Sequence, residues 1–369
     1  MHYTNFKGKS LSKLGFGAMR FPQFGEGWGM PINYEEALPL IEHAIANGVN
    51  YFDTAYVYHG GDSEKFLATA LAKYPRDSYY LADKFNLAAQ SDYRIQFAEQ
   101  LERLQTDYID FYMCHGISDT NIDGYLKQGA IEYFQEEKAK GSIRNIGFSF
   151  HGSPDILRQT VAHYEWDFAM IQLNYFDWFH VNGRENYNTL KENNISIMVM
   201  EPVHGGLLAS LTPEGNALLK EAEPNRSIAS WALRFILSLS DVKVILSGMS
   251  SMEQVVDNLA IVKECKPLSD TEMKLLEKAS TMFFQTIGAT CTDCRYCTDC
   301  PKDLNIPFLL HCYNDYKASG EWRLNRLKAL PKEKQPGACT ACGICVGQCP
   351  QNLDIPKLMA EMAEKEILK

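Results

Sequence analysis

Three runs between Asn50 and His115 decide the fold: NYFDT at 50–54, YYLADKF at 79–85 and IDFYMCH at 109–115, each divided from the next by an amphipathic segment. Four further runs of the same kind follow, at Ile143 to Ser149, Phe168 to Tyr175, Ile195 to Glu201 and Val242 to Gly248, and an opening one lies near Leu14 to Phe16. Between them are helical patterns such as Tyr34 to Asn47, Ser91 to Leu104, Asn121 to Lys140 and Ser227 to Ser238. The short runs are largely apolar rather than alternating, which is what parallel strands covered on both faces require. Eight β/α repeats over roughly 260 residues predict an α/β fold, a (β/α)8 TIM barrel. Gly15, Gly17 and the Gly25 to Gly29 region are expected to form a short hairpin on the barrel floor followed by a mobile loop.

The repeat pattern stops after Val262. A helical stretch, Asp270 to Phe284, leads into a tail punctuated by Cys and Pro, which divides the chain into a barrel at 1–285 and a small, mostly α, ferredoxin-like domain at 286–369. Hydrophobic residues at 46% and charged residues at 22% suffice for a packed core without disorder. The net charge of −10 is spread along the chain with no Lys/Arg block, which argues against nucleic-acid binding. No apolar run approaches the roughly 20 residues of a spanning helix, and Met1 to Phe16 lacks a signal-peptide core, so no membrane partner and a cytoplasmic location are expected.

Eight of the eleven cysteines fall in two tight quartets, a pattern that points to metal rather than disulfides in a large chain of this kind. Cys339, Cys342, Cys345 and Cys349, followed by Pro350, have the bacterial ferredoxin spacing, in which three thiolates hold one [4Fe-4S] cluster and the fourth reaches another. Cys291, Cys294, Cys297 and Cys300, followed by Pro301, are one residue shorter in the last gap. Crossed ligation places Cys291, Cys294, Cys297 and Cys349 on one cluster and Cys339, Cys342, Cys345 and Cys300 on the other. A pair of all-cysteine zinc sites is the alternative. The tails CPKDLNIP at 300–307 and CPQNLDIP at 349–356 mark an internal duplication. Cys114, Cys265 and Cys312 lie outside the pattern and read as buried apolar residues.

In a (β/α)8 barrel, polar residues at the C-terminal strand ends converge on the site of chemistry. Asp53 and Tyr58 fall at and after the second strand, Lys84 at the third and His115 at the fourth. Here the sequence resembles the aldo/keto reductase family, through Phe52-Asp53-Thr54-Ala55 with Tyr58, then Lys84 and His115. Reducing a carbonyl by hydride builds an alkoxide that needs a proton, and a phenol can supply one if a buried ammonium stabilises the phenolate. The resemblance therefore implies Tyr58 as proton donor, Lys84 as the ammonium, Asp53 as its counter-charge and His115 as a group that orients the carbonyl.

The resemblance extends to Leu14-Gly15-Phe16-Gly17 with Met19-Arg20, and to Gly147-Phe148-Ser149 with Gln172 and Asn174, which look like the positions that hold the nicotinamide carboxamide. Strand-end capping is the competing role for Gln172 and Asn174. Glu201 to Leu207 resembles the loop after the seventh strand, and Gly248-Met249-Ser250 with Gln254 and Asn258 resembles the cofactor phosphate and adenine region. The match covers Lys9 to Leu259, and the cysteine-rich tail is similar to a prokaryotic branch of the family with a 4Fe-4S domain. No Lys or Arg lies between Gly248 and Asn258, which leaves NADP(H) and NAD(H) both open, and Gly116 after His115 implies a roomier pocket.

These features imply an oxidoreductase that moves hydride reversibly between NAD(P)H and a small carbonyl or alcohol, while two [4Fe-4S] clusters relay electrons to a redox partner protein. Hydride carries two electrons and a cluster takes one, so a flavin is an open further cofactor. Two other readings differ in class: a non-catalytic electron-transfer protein with the barrel as docking body, and a zinc-stabilised reductase.

Overall fold

The structure, a computed structural model, describes residues 1–25, 29–365 and 368. The strands are β1 (Tyr3–Phe6), β2 (Lys9–Ser12), β3 (Leu14–Gly17), β4 (Tyr51–Asp53), β5 (Tyr80–Phe85), β6 (Ile109–Ile117), β7 (Ile143–Phe150), β8 (Phe168–Gln172), β9 (Ser196–Met200) and β10 (Val242–Ser247). The helices are α1 (Tyr34–Ala46), α2 (Asp62–Leu71), α3 (Tyr93–Leu104), α4 (Ile122–Leu126), α5 (Ala130–Lys140), α6 (Pro154–His163), α7 (Tyr175–His180), α8 (Gly183–Glu192), α9 (Pro213–Ala222), α10 (Ile228–Leu237), α11 (Met252–Glu264), α12 (Asp270–Phe284), α13 (Ile306–Ser319), α14 (Ile344–Gln348) and α15 (Ile355–Ala363). The chain forms two compact units: Met1–Val203 with Ala229–Thr271, and His204–Ile228 with Glu272–Lys369. Among the described residues, no helix is long and apolar enough to cross a membrane.

In the first unit, β3 to β10 pair in sequence order and β10 closes onto β3, giving the expected eight-stranded parallel barrel. The floor hairpin is not where the glycines suggested. It is β1 and β2, paired antiparallel, whereas Gly15 and Gly17 lie within barrel strand β3. Gly15 is needed there because a Cβ would come within 2.7 Å of Val244 and 2.8 Å of Leu246 on the neighbouring strand β10. Gly25 and Gly29 belong to the connection before α1, and residues 26–28 of that expected loop lie outside the described residues. The expected helix from Asn121 to Lys140 is two, because Gly129 takes φ +78° between α4 and α5.

Phe111 of β6 organises the barrel interior, meeting Phe6 at 5.1 Å, Tyr51 at 5.1 Å and Phe168 at 5.2 Å between ring centroids. Leu11, Met113, Met170, Met198 and Leu246 complete this apolar plug. Tilted and edge-on ring pairs of this kind add to the stabilisation from burial alone. The plug leaves the opposite, C-terminal ends of the strands for polar residues.

The second unit packs α13 and α15 around Leu309, Leu310, Tyr313, Met359 and Met362. The duplicated tails are structural equivalents. Asn305 caps α13 by accepting from Phe308 N, Asp354 caps α15 by accepting from Lys357 N, and Pro follows in the first turn of both helices. Asp303 and Asn352, at matched positions just before, both turn the chain with φ near +50°.

The segment after β9 joins this unit. His204 lies 3.3 Å through its Nε2 from the Thr290 carbonyl. Gly205, with φ +64°, sits so close to the first cysteine run that a Cβ would stand 2.2 Å from the Thr292 carbonyl oxygen and 2.6 Å from its Cα.

Two outcomes follow from this packing. Phe111→Ala empties the centre of the barrel plug and should cost roughly 3–5 kcal/mol, seen as a lower urea midpoint for loss of barrel structure. Gly205→Ala drives backbone between Cys291 and Cys294 out of place, and no side-chain rotation relieves it. Anaerobically purified Gly205→Ala protein should therefore carry clearly less iron and sulfide per chain than wild type. Equal metal content in the two would contradict the close approach.

Candidate active site and candidate metal centres

Asp53, Lys84 and His115 come together because β4, β5 and β6 are neighbours in register and end at the same rim of the barrel. Side chains alternate along a strand, so with Lys84 facing the interior its neighbour Asp83 faces the surrounding helices. Lys84 Nζ donates to Asp53 Oδ1 at 2.6 Å and to the Thr54 carbonyl at 2.5 Å, and both charged side chains are almost wholly buried. Burial pushes the Asp53 carboxyl above its usual range, and the Lys84 ammonium opposes that push.

Tyr58 enters from the loop after β4, which His59, Gly60 and Gly61 turn sharply with φ of 50°, 62° and 90°. Lys84 Nζ lies 4.8 Å from the centre of the Tyr58 ring, and the ring meets that of His115 edge-on at 5.9 Å. His115 is held neutral. Burial, then the charges of Lys84 and His151, keep its imidazole well below the ordinary range. Asn86 fixes the tautomer: its Oδ1 accepts from Ala89 N, so its Nδ2 faces His115 Nδ1 at 3.2 Å as a donor. The hydrogen on the His115 ring therefore sits on Nε2. Gly116 follows with φ +69°, and a Cβ there would meet only His151, at 3.9 Å, so the rim beside His115 is open.

Ser149, Gln172 and Asn174 lie at the ends of β7 and β8. Ser149 Oγ accepts from Gly116 N at 2.7 Å, and Gln172 donates to Asp177 at 3.2 Å. Asn174 is wholly buried, and both ends of its amide are engaged within the fold. Its Oδ1 caps α7 by accepting from Asp177 N, while Nδ2 donates to Asp177 and to the Glu201 carbonyl. This is the capping role set against cofactor binding above.

Around the loop after β10, Ser250 donates through Oγ to the Arg20 carbonyl and through its backbone to Gln254. Buried Asn258 holds Ser247 Oγ at 3.0 Å. Ser251 caps α11. Gly248 is pressed by the Arg20 side chain, whose carbons a Cβ would meet at 3.2–3.3 Å. The Arg20 side chain, three residues past β3, thus lies beside the loop after β10, a juxtaposition that ring closure creates.

In the second unit, Cys300, Cys339, Cys342 and Cys345 line one cavity together with Leu304, Ile306 and Met359. Burial pushes the Cys345 thiol up to about 11, with Cys339, Cys300 and Cys342 adding charge in that order. Cys297, pushed up to about 12, feels Cys291 and Cys349 before Cys345. Cys300 thus keeps company with Cys339, Cys342 and Cys345, and Cys349 with Cys297 and Cys291. The two loops are also conformational copies: Asp293 and Arg295 in one, Ala341 and Gly343 in the other, all have positive φ at matched positions. No three His, Cys, Asp or Glu among the described residues converge as a single-ion site, whereas four sulfurs around a cube of iron and sulfide stand farther apart than those on one ion. The donor set and its spacing fit clusters. Cys114 and Cys312 are fully buried as expected, Cys312 in the same apolar cluster as Cys297 and Cys345 and accepting from Arg326 Nε at 2.9 Å, whereas Cys265, which ends α11 with φ 49°, is only half-buried.

Comparison with known proteins agrees with this geometry. The 4Fe-4S dicluster domain profile matches residues 290–361. L-galactose dehydrogenase of Arabidopsis thaliana is 29% identical over 296 residues, covering 73% of this chain and 90% of that protein. NADH-specific methylglyoxal reductase of Escherichia coli is 27% identical over 316 residues, covering 73% and 94%. The holo form of an aldo-keto reductase from Bacillus halodurans superposes with a TM-score of 0.63 at 26% identity, covering 80% of this chain and 99% of that one. With the aldo/keto reductase profile matching residues 13–281, the barrel and its converging strand ends place this chain in the aldo/keto reductase family.

Proposed function

We propose that this chain reversibly transfers hydride between a nicotinamide cofactor and a small carbonyl or alcohol, with Tyr58 as the acid. The observation that carries this reading is the buried contact of Lys84 with both Asp53 and the Tyr58 ring, at 2.6 Å and 4.8 Å. A bound nicotinamide dinucleotide supplies or takes up the hydride. Tyr58 then gives its phenolic proton to the oxygen that was the carbonyl. Lys84 stabilises the phenolate left behind, and Asp53 balances the ammonium in a setting where an unpaired charge would be costly. His115, neutral and hydrogenated at Nε2, orients the carbonyl oxygen.

Ser149 and Gln172 are suited to the carboxamide of the cofactor. Ser250, Gln254, Arg20 and the N-terminus of α11 are suited to its phosphates. The relatives act on methylglyoxal and L-galactose by their names, and a small oxygenated carbonyl of that kind fits the open rim at Gly116. The two cysteine sets would hold two [4Fe-4S] clusters with crossed ligands, supported by the sulfur neighbourhoods of Cys297 and Cys345. They would pass single electrons to a redox partner, and a flavin in this chain or that partner would divide the hydride pair.

Methylglyoxal reduction with NADH, and with NADPH in parallel, tests the reading. Tyr58→Phe should lower kcat by about 10²–10⁴-fold without loss of fold, and wild-type turnover in this variant would remove Tyr58 from the chemistry. The histidines give a second check. His115 lies well below its usual range and His151 is lowered to about 4, so both stay neutral as pH falls through the ordinary histidine region. The kcat profile should show no limb near about pH 6.5, and NMR should show neither ring titrating there.

A further inference from the structure

Behind Lys84, on the helix-facing side of β5, lie two carboxyls that the reaction does not use. Glu64 of α2 and Asp83 of β5 are both fully buried. One oxygen of each is well held: Glu64 Oε2 receives Arg103 Nη1 at 2.8 Å, and Asp83 Oδ1 receives the Lys84 backbone N–H at 2.8 Å. The other oxygen of each, Glu64 Oε1 and Asp83 Oδ2, has no hydrogen-bond partner. The two carboxyls are electrostatically tied: burial and then the charge of Glu64 raise Asp83 well above the ordinary range, while burial raises Glu64 against the pull of Arg103 and of hydrogen bonding from Asp83 and Gln100.

Two ionised carboxylates accept hydrogen bonds and donate none, so a pair in contact inside a low-dielectric layer would leave both oxygens unsatisfied and both charges repelling. One proton on Asp83, donated to Glu64, satisfies both oxygens. The pair then carries a single negative charge against the one guanidinium of Arg103. The other groups around it are Lys84 on the same strand, Gln100 of α3, Tyr112 of β6, whose hydroxyl donates to Gln100 Oε1 at 2.6 Å, and Tyr56 and Glu99 beside Arg103.

The network ends on both catalytic elements. Gln100 Nε2 donates to the Lys84 carbonyl at 3.1 Å, so both the N–H and the C=O of the Lys84 peptide are gripped from behind. At the other end Arg103 reaches the Tyr56 carbonyl at 3.4 Å, stacks over the Tyr56 ring at 4.3 Å and presses on Gly61, where a Cβ would come within 2.8 Å of its Nη1. Tyr56 and Gly61 flank Tyr58.

We propose that Glu64 and Asp83 share one proton and act as positioning residues, registering the Lys84 peptide and the Tyr58 loop against each other. This rests on the hydride-transfer reading above. Misplacement of an acid by a fraction of an ångström lowers turnover without altering substrate capture, which sets the expected kinetics.

The test is NADH-linked methylglyoxal reduction across about pH 5–9 by wild type, Tyr58→Phe, Asp83→Ala, Asp83→Asn and Gln100→Met. Asp83→Ala should lower kcat roughly 10–100-fold with KM nearly constant, and shift the alkaline limb of the kcat profile, which simple loss of folded protein would not move. Asp83→Asn restores a donor toward Glu64 Oε1 and should recover most of the turnover and the wild-type limb. Wild-type kcat and profile in Asp83→Ala, or equal damage in Asp83→Asn, overturns the inference. If Asp83→Ala does not fold, Gln100→Met, which frees the Lys84 carbonyl and removes neither carboxyl, should lower kcat with the same limb shift, and a wild-type result there overturns it. Full activity in Tyr58→Phe instead overturns the hydride-transfer reading itself. An inactive Tyr58→Phe beside an unaffected Asp83→Ala sinks only the pair.

Discussion

A buried ammonium constrains everything around the barrel mouth. Lys84 is almost without solvent and satisfies its charge on Asp53 and the Thr54 carbonyl, both from the end of β4. Removing either partner would strand a charge in a low-dielectric site, at a cost of several kcal/mol. The alignment of β4 with β5 is thus fixed by electrostatics as well as by backbone pairing. The same ammonium lies against the Tyr58 ring and adds to the burial that keeps His115 neutral, so one charge bears on two neighbours.

A layered arrangement follows along β5. Its inward residue, Lys84, lies at the mouth, and its outward residue, Asp83, belongs to a polar layer under α2 and α3 that grips the Lys84 peptide on both sides. Gln100, fully buried yet polar at both ends of its amide, is bonded to Lys84 and Tyr112 rather than left as a packing defect. Such satisfied polar layers specify a unique arrangement where apolar packing would allow sliding.

The barrel was legible because each strand is an apolar run with a polar residue at its end, and that pattern depends only on burial. Asp53, Lys84 and His115 were legible for the same reason. The floor hairpin was not, because Tyr3–Phe6 and Lys9–Ser12 are four-residue strands that bury little beyond Phe6 and Leu11 and so lack a run. Asn174 shows the limit for single polar residues: an amide at a strand end serves as cap or as ligand grip, and only its partners decide. Glu64, Gln100 and Arg103 look in sequence like the solvent face of two helices, and only the closed barrel turns them inward against β5. Arg20 is separated from Ser250 by 230 residues, a closeness that ring closure alone creates.

The path of the chain between the two compact units has a consequence for how the molecule is made. The chain passes from one unit to the other at Val203, returns at Ala229 and leaves again at Glu272. His204 and Gly205 therefore emerge from the ribosome long before Thr290 and Thr292, the backbone they close upon, His204 standing 86 positions ahead of its carbonyl partner. The barrel strands can pair while the segment from 204 to 228 still waits for its own unit. Severing the chain at the end of α12 would give a product that keeps all eight strands and leaves that segment permanently without the cysteine loop it was shaped to hold. The profile boundaries at 281 and 290 mark where two sequence patterns meet, and they are a poor guide to where the protein can be cut.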